Sequence, residues 1–287
     1  MRAMRERFAV RLAAALFLLA PALLLPTVAG AAPPFSPALL QERLWDDGKA
    51  EYDVFDAVEI REGIARPARV VHVIVKEPFN AKLRVKADRP PSIDVVKMNQ
   101  VIDVPTGAYG YHQMHSSFWE RATGALLKFS MTSNDSCGNA FKEGWMDGSR
   151  WRLLFHTYWD GEGDGERGLA LPADGVFADE LPMKLRMLAR FEPAQYTISL
   201  FPSVVGSKLG NPAFSAASIR VLPPAPDGSI RVEVSRPGGV DRFTFQKAAP
   251  HVLAAWSRPD GSSLKLRKSL RLDYWNHHAP GDEKLLE

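Results

Sequence analysis

The sequence contains a single cysteine, Cys137, in 287 residues, so no intrachain disulfide can staple the fold. It also has no paired-cysteine metal motif, no glycine-rich phosphate loop and no internal repeat. Those absences remove zinc ribbons, phosphate-loop nucleotide binders and solenoids. Charge of one sign is missing too, once the N-terminus is set aside. Residues 1–31 hold four of the 36 basic and one of the 33 acidic residues, which leaves 32 of each in the remainder. Nucleic acid is a poor partner for a chain of that balance, and nothing in the pattern calls for a cofactor.

Long apolar runs are scarce as well. The one substantial run, residues 12–25, follows Arg2, Arg5, Arg7 and Arg11 and precedes Ala29-Gly30-Ala31. A basic, then apolar, then small-residue order is that of a cleavable secretory signal. The run is short for a bilayer span and is broken by Pro21. Cleavage is expected after Ala31, which leaves 32–287 as a periplasmic or extracellular protein without a permanent membrane span. No cysteine stands near that point to carry a lipid.

The remaining chain is long enough to bury a core without covalent staples. Residues 69–76 (Arg-Val-Val-His-Val-Ile-Val-Lys) form a β-branched run that suits a strand apolar on both faces. Strand signals recur at 50–54, 82–87 and 93–104. Residues 109–119 and 125–132 pair as one hairpin, and 139–146 and 150–159 as another through Asp147-Gly148-Ser149. Further strands are expected at 195–200, 218–222, 230–234, 240–245 and 252–257. In residues 264–274, Leu264, Leu266, Leu270, Leu272 and Tyr274 alternate with charged residues, which predicts one buried face. The clearest helix is 177–190, where Leu181, Leu185 and Leu188 share a stripe, Asp179 can cap the start and Pro182 falls in the first turn. The expected fold is therefore mainly β (α+β): a single domain over 32–287, built as a curved antiparallel sheet or open barrel with one amphipathic helix, with a sub-boundary near 160–178 as the place where it would divide. Within that boundary Asp160, Glu162, Asp164 and Gly165 imitate the start of a calcium loop, but the closing acid is replaced by Leu171, so no metal site is expected.

Two groups of residues could carry function. Cys137 sits in the polar stretch Ser133-Asn134-Asp135-Ser136-Cys137-Gly138-Asn139. A thiol nucleophile needs a base, which His112 or His115 could supply, oriented by Asn139 or Asp135. Three residues apart on a strand, the two histidines point to opposite faces. The second group is aromatic: Tyr109, Tyr111, Trp119, Trp145 and Trp159 belong to a region dense in rings, which would line an apolar groove in a sheet that curves without closing.

The stretch with Asp179, Leu185-Arg186, Lys247-Ala248-Ala249-Pro250-His251 and Tyr274-Trp275 resembles a poorly characterised group of bacterial envelope proteins, known mainly as a domain of unknown function. Gly48-Lys49-Ala50-Glu51, Tyr111-His112 and Cys137-Gly138-Asn139 are similar to other uncharacterised secreted bacterial proteins. The resemblance implies a periplasmic β-fold of the lipid-handling half-barrel type and supplies no catalytic mechanism. The leading expectation is a periplasmic binding or envelope-maintenance protein holding a lipid or other amphipathic small molecule in a concave sheet. The alternatives are a secreted thiol-dependent hydrolase or transferase using Cys137 and His112, and an envelope scaffold.

Overall fold

The computed structural model of the protein describes residues 32–287, and the expected export signal, with cleavage expected after Ala31, lies outside the described residues. Helix α1 (Ala38–Gln41) and a 3-10 turn (Arg43–Asp46) lead into β1 (Ala50–Arg61), β2 (Ile64–Asn80), β3 (Val85–Lys86), β4 (Ile93–Pro105) and β5 (Gly110–Glu120). The chain continues through β6 (Leu126–Asp135), β7 (Asn139–Asp147), β8 (Arg150–His156), β9 (Asp164–Leu169) and β10 (Gly175–Phe177). A helical segment centred on α2 (Leu181–Lys184) follows, then β11 (Ala194–Phe201), β12 (Ser215–Val221), β13 (Ile230–Arg236), β14 (Gly239–Phe245), β15 (Leu253–Ser257) and β16 (Ser263–Leu272).

All these strands form one sheet, ordered β10-β11-β12-β13-β14-β15-β16-β1-β2-β4-β5-β6-β7-β8-β9, with β3 hanging on the end of β2. Neighbours are antiparallel, as hairpin connections dictate, except for the parallel pair β10 and β11. The two edge strands, β9 and β10, are consecutive in sequence and joined by residues 170–174. A link of that length reaches about 20 Å at most. The sheet therefore coils until its edges approach, giving a barrel-like open curve, mostly β as the alternation predicts.

The interior of that curve is filled by residues 178–188. They run as a 3-10 turn (Ala178–Glu180), α2 and a second 3-10 turn (Leu185–Met187) rather than as the single amphipathic helix expected over 177–190. Leu181, Leu185 and Leu188 are buried as predicted, but so are Met183, Arg186 and Met187. The sheet covers most of the segment, and α1 with the 3-10 turn after it packs Leu39, Leu40 and Trp45 against Met183 and Met187, so little of it is left as a wet face.

The register sets what faces it. Glu51, Asp53, Phe55, Ala57 and Glu59 of β1 share one face by period-two alternation. Phe55 and Ala57 pack with Leu181 and Leu185, so that face is the inner one. On the outer face Ala50, Val54, Val71, Val73 and Val75 form a separate apolar strip with Tyr52, Tyr274 and Leu286, the last two from the C-terminal turns. The run at 69–76 is thus apolar on both sides because both sides are covered. β2 also extends through Pro67 and Pro78, beyond its predicted ends. Pro67 pairs only with Val58 of β1, and no partner on its other side requires its missing N–H.

The predicted single face of residues 264–274 is split. A bulge opposite Val54 and Phe55 leaves Arg267 unpaired, so Leu264 and Leu266 oppose Ala57 and Phe55 on the inside, while Leu270 and Leu272 oppose Tyr52 and Ala50 on the outside. Leu264 is buried and Leu270 only half-buried. One extra residue moves every later side chain to the other face.

Candidate functional site

Inside the barrel the ladder pairs residues of unusual polarity side by side. Asp53 opposes His72, His72 opposes Gln100, Gln100 opposes His115, His115 opposes Met131 and Met131 opposes Lys142. All of the polar members of this belt are buried. Asp53 is pushed well above the usual carboxylate range, first by burial and then by the neighbouring Glu51. His72 is pushed down to about 3 by burial and then by Arg186, so it is neutral and accepts from Gln100 Nε2 at 3.0 Å. Lys142 is lowered to about 8 by burial. Its Nζ donates to the carbonyls of Val204, Gly206 and Lys208, each at 2.7 Å, and so holds the 202–214 connection across the barrel.

The enclosed helical segment is pinned by the same kind of contact. Arg186 donates two bonds to Glu51, at 2.7 and 3.0 Å, and one to the Pro250 carbonyl at 2.8 Å. Glu180 accepts from Trp119 Nε1 at 2.9 Å and from the Phe177 amide at 3.0 Å. Asp179 accepts from Ser203 Oγ and the Val204 amide, and its carboxylate lies 3.9 Å from His115 Nε2. Burial lowers His115, an effect that Asp179 and Glu180 oppose, and its Nδ1 has no hydrogen-bond partner.

Between this segment and the sheet, at the end where β1 and β4 finish, a cleft of about 480 Å³ opens. Leu181, Leu200, Val205 and Trp256 supply apolar wall, and Arg236, Asp241, Arg258 and Asp260 stand at its side. Arg236 is already paired, donating to Asp241 at 2.6 Å. The cleft runs into a chamber of about 110 Å³ that shares Asp179, Ser203, Val205, Arg258 and Asp260 with it and adds Glu59, Arg61 and Gln100. Arg258 lies over the Trp256 ring at 4.4 Å from its centroid and 3.5 Å from both Glu59 oxygens. Glu59 is 3% exposed, and its Oε1 has no hydrogen-bond partner; neither has the buried Nε of Arg61. A buried carboxylate oxygen and a guanidinium N–H without partners, facing one small chamber, make a place for a polar group that both donates and accepts.

No family model matches the sequence, and no curated protein matches it. The structure is similar to a crystal structure of a beta-barrel-like protein of the domain of unknown function DUF1849 from Brucella abortus, with 10% identity and a TM-score of 0.49 over 78% of this chain and 98% of that one.

The residues singled out from the sequence are dispersed. Cys137 is exposed in the turn between β6 and β7, its amide bonded to Asp135 Oδ1 at 2.9 Å. Asn139 is exposed where β7 begins, opposite Asn134. His112 is on the outer face of β5, its Nδ1 2.5 Å from Asp103. A shallow hollow of about 490 Å³ contains Asp103, His112, Asn134, Asp135 and Ser136, but not Cys137 or Asn139. Among the described residues the thiol and the imidazole make no hydrogen bond to each other. His115, the other candidate base, is on the opposite face of β5, inside the barrel, as the spacing requires.

The aromatic set is divided in the same way. Tyr109 and Tyr111 meet edge to face at 5.8 Å, with Arg61 over Tyr111 at 5.3 Å. Trp119 is fully buried against Glu180. Trp145 is on the outer face beneath Arg84, at 4.5 Å. Trp159 is half-exposed beneath Lys208, at 4.2 Å. The residues that do converge, Glu59, Arg61, Gln100 and Arg258, were not singled out. One local signal for them exists: Glu51, Asp53 and Glu59 fall on the same alternation as Phe55 and Ala57, which places acids on an apolar face.

Proposed function

We propose that the protein is an exported binding protein of the cell envelope that takes one amphipathic molecule at the mouth of its barrel. The apolar part lies in the cleft against Leu181, Leu200 and Trp256, and the polar head enters the chamber beside Glu59 and Arg61. The observation that carries this reading is that an apolar-walled cleft shares its lining with a small chamber in which Glu59 Oε1 and Arg61 Nε have no hydrogen-bond partner. Glu59 and Asp260 stand against Arg61 and Arg258 there, and Asp179 is already bonded, so the head that fits is neutral overall, hydroxylated or zwitterionic. Apolar walls with a few fixed polar groups are what orients a small ligand.

Mass spectrometry of organic extracts from protein recovered from the periplasm should show a co-purifying amphipathic species of that type. Its titration into the emptied protein should change the Trp256 emission, and Glu59→Gln and Arg258→Ala should each weaken binding about tenfold or more, the effect of removing a charged partner. Extracts without such a species, or affinity unchanged in both variants, would refute the reading.

A further inference from the structure

The end of the barrel opposite the mouth carries a second surface. The mouth is lined by the last residues of β1, and the antiparallel β2 ends at the other side of the molecule. There the chain forms a finger: β2 finishes at Asn80, residues 81–84 turn, and β3 returns along Phe79 and Asn80. The finger is held firmly. The Arg84 amide donates to the Asn80 carbonyl at 2.7 Å and the Leu83 amide to Asn80 Oδ1 at 3.0 Å. From β6, Lys128 Nζ donates to the Arg84 carbonyl at 3.0 Å, and the Arg84 guanidinium lies 3.9 Å from Glu143.

What this rigid finger presents is apolar and cationic. Leu83, in the bonded turn, is 63% exposed, and Val85, in β3, is 48% exposed. Lys82, Lys86 and Arg89 are exposed and make no salt bridge among the described residues. Asp88 is the one acid between Asn80 and Pro91. The aromatic pair at the end of β16 belongs to the same region. Trp275 is 46% exposed and meets Tyr274 edge to face at 5.3 Å. Tyr274 packs on the outer strip with Val73 and Val75 of β2, the strand that runs on into the finger.

We propose that this end docks on an anionic lipid bilayer. Leu83, Val85 and Trp275 enter the headgroup layer, and Lys82, Lys86 and Arg89 lie against lipid phosphates. A few aliphatic tips, an interfacial tryptophan and unpaired cations are the combination that holds a protein on such a surface reversibly. Separate tips of this kind make no continuous apolar face of the size a stable protein partner requires. Docked this way, the mouth faces away from the bilayer. The inference is independent of what the cleft binds.

The test is flotation of the exported protein, as recovered from cells, with vesicles of phosphatidylglycerol in phosphatidylcholine and with vesicles of phosphatidylcholine alone. Binding is expected to the anionic vesicles only and should fall steeply with added salt. The Lys82→Ala/Lys86→Ala/Arg89→Ala variant should lose about fivefold in partitioning per cation removed, and Leu83→Asp/Val85→Asp should abolish binding. All five positions are exposed, so melting temperature should not change, and the salt titration of the unaltered protein reads the same electrostatics without any substitution. No binding to anionic vesicles, or binding indifferent to both variants and to salt, would overturn the proposal. Finger-dependent retention on an immobilised anionic glycan with no vesicle binding would overturn it too.

Discussion

Removing the Arg186 guanidinium tests whether the enclosed helical segment is locked to the sheet by a buried ion pair. Glu51 is 1% exposed and Arg186 3%, and the two are joined by paired bonds of 2.7 and 3.0 Å. Arg186→Met keeps most of the side-chain volume but deletes both bonds and the donor to the Pro250 carbonyl, leaving Glu51 buried beside Asp53. Breaking one side of a buried pair costs about 3–5 kcal/mol, which in a domain of this size lowers the melting midpoint by about 10 °C. Glu51→Leu/Arg186→Met removes both charges and places two apolar side chains near Ile74 and Met183. It should recover most of the loss, because neither charge is then stranded. Urea melts of the two single variants and the double would measure this, with amide exchange in 178–188 reporting release of the segment. A cost below about 1 kcal/mol for Arg186→Met, or a double variant as unstable as the sum of the singles, would refute the argument.

Two buried groups should bend the pH dependence in opposite directions. His72 has a folded value of about 3, below its ordinary one, so the unfolded chain binds the proton first and stability is lost as pH falls below about 6.5, at up to about 1.4 kcal/mol per unit. His72→Gln should flatten that acid limb in denaturant melts across pH, and an unchanged limb would contradict the neutral histidine. Asp53 is raised, so the folded chain keeps its proton longer and stability is lost as pH rises from the ordinary carboxylate range up to the raised folded value; Asp53→Asn should remove that slope. Across the β16 bulge, Leu264→Ala should cost about 2–4 kcal/mol and Leu270→Ala under about 1; equal losses in melts would mean that the two share a face. Cys137 is exposed, so a maleimide should label it without denaturant, and Cys137→Ser should change stability by less than about 0.5 kcal/mol; labelling that needs unfolding would contradict the placement.

The local pattern of this sequence determines most of its strands. Period-two alternation and turn residues such as Asp147-Gly148-Ser149 locate the hairpins, because both depend on neighbours within a few residues. The leucine stripe at 181, 185 and 188 likewise marks the segment that becomes the interior. What that pattern could not hold is set by where distant strands lie. The edges β9 and β10 approach because the fifteen strands in line between and including them coil far enough round, and that closure buries the helical segment beneath the sheet. A single unpaired residue, Arg267, sends Leu270 outward, and alternation alone carries no mark of a bulge. The thiol, the imidazole and the rings stand out in the sequence by chemical type, whereas the site is defined by which polar atoms lose water when the barrel closes. Glu59, Arg61 and Arg258 come from β1 and the far end of the chain and meet at the mouth only through the long-range pairing of β1 with β2 and β16. Desolvation, unlike alternation, is a property of the assembled sheet, and it decides which polar atoms, here Glu59 Oε1 and Arg61 Nε, are left buried without a hydrogen-bond partner.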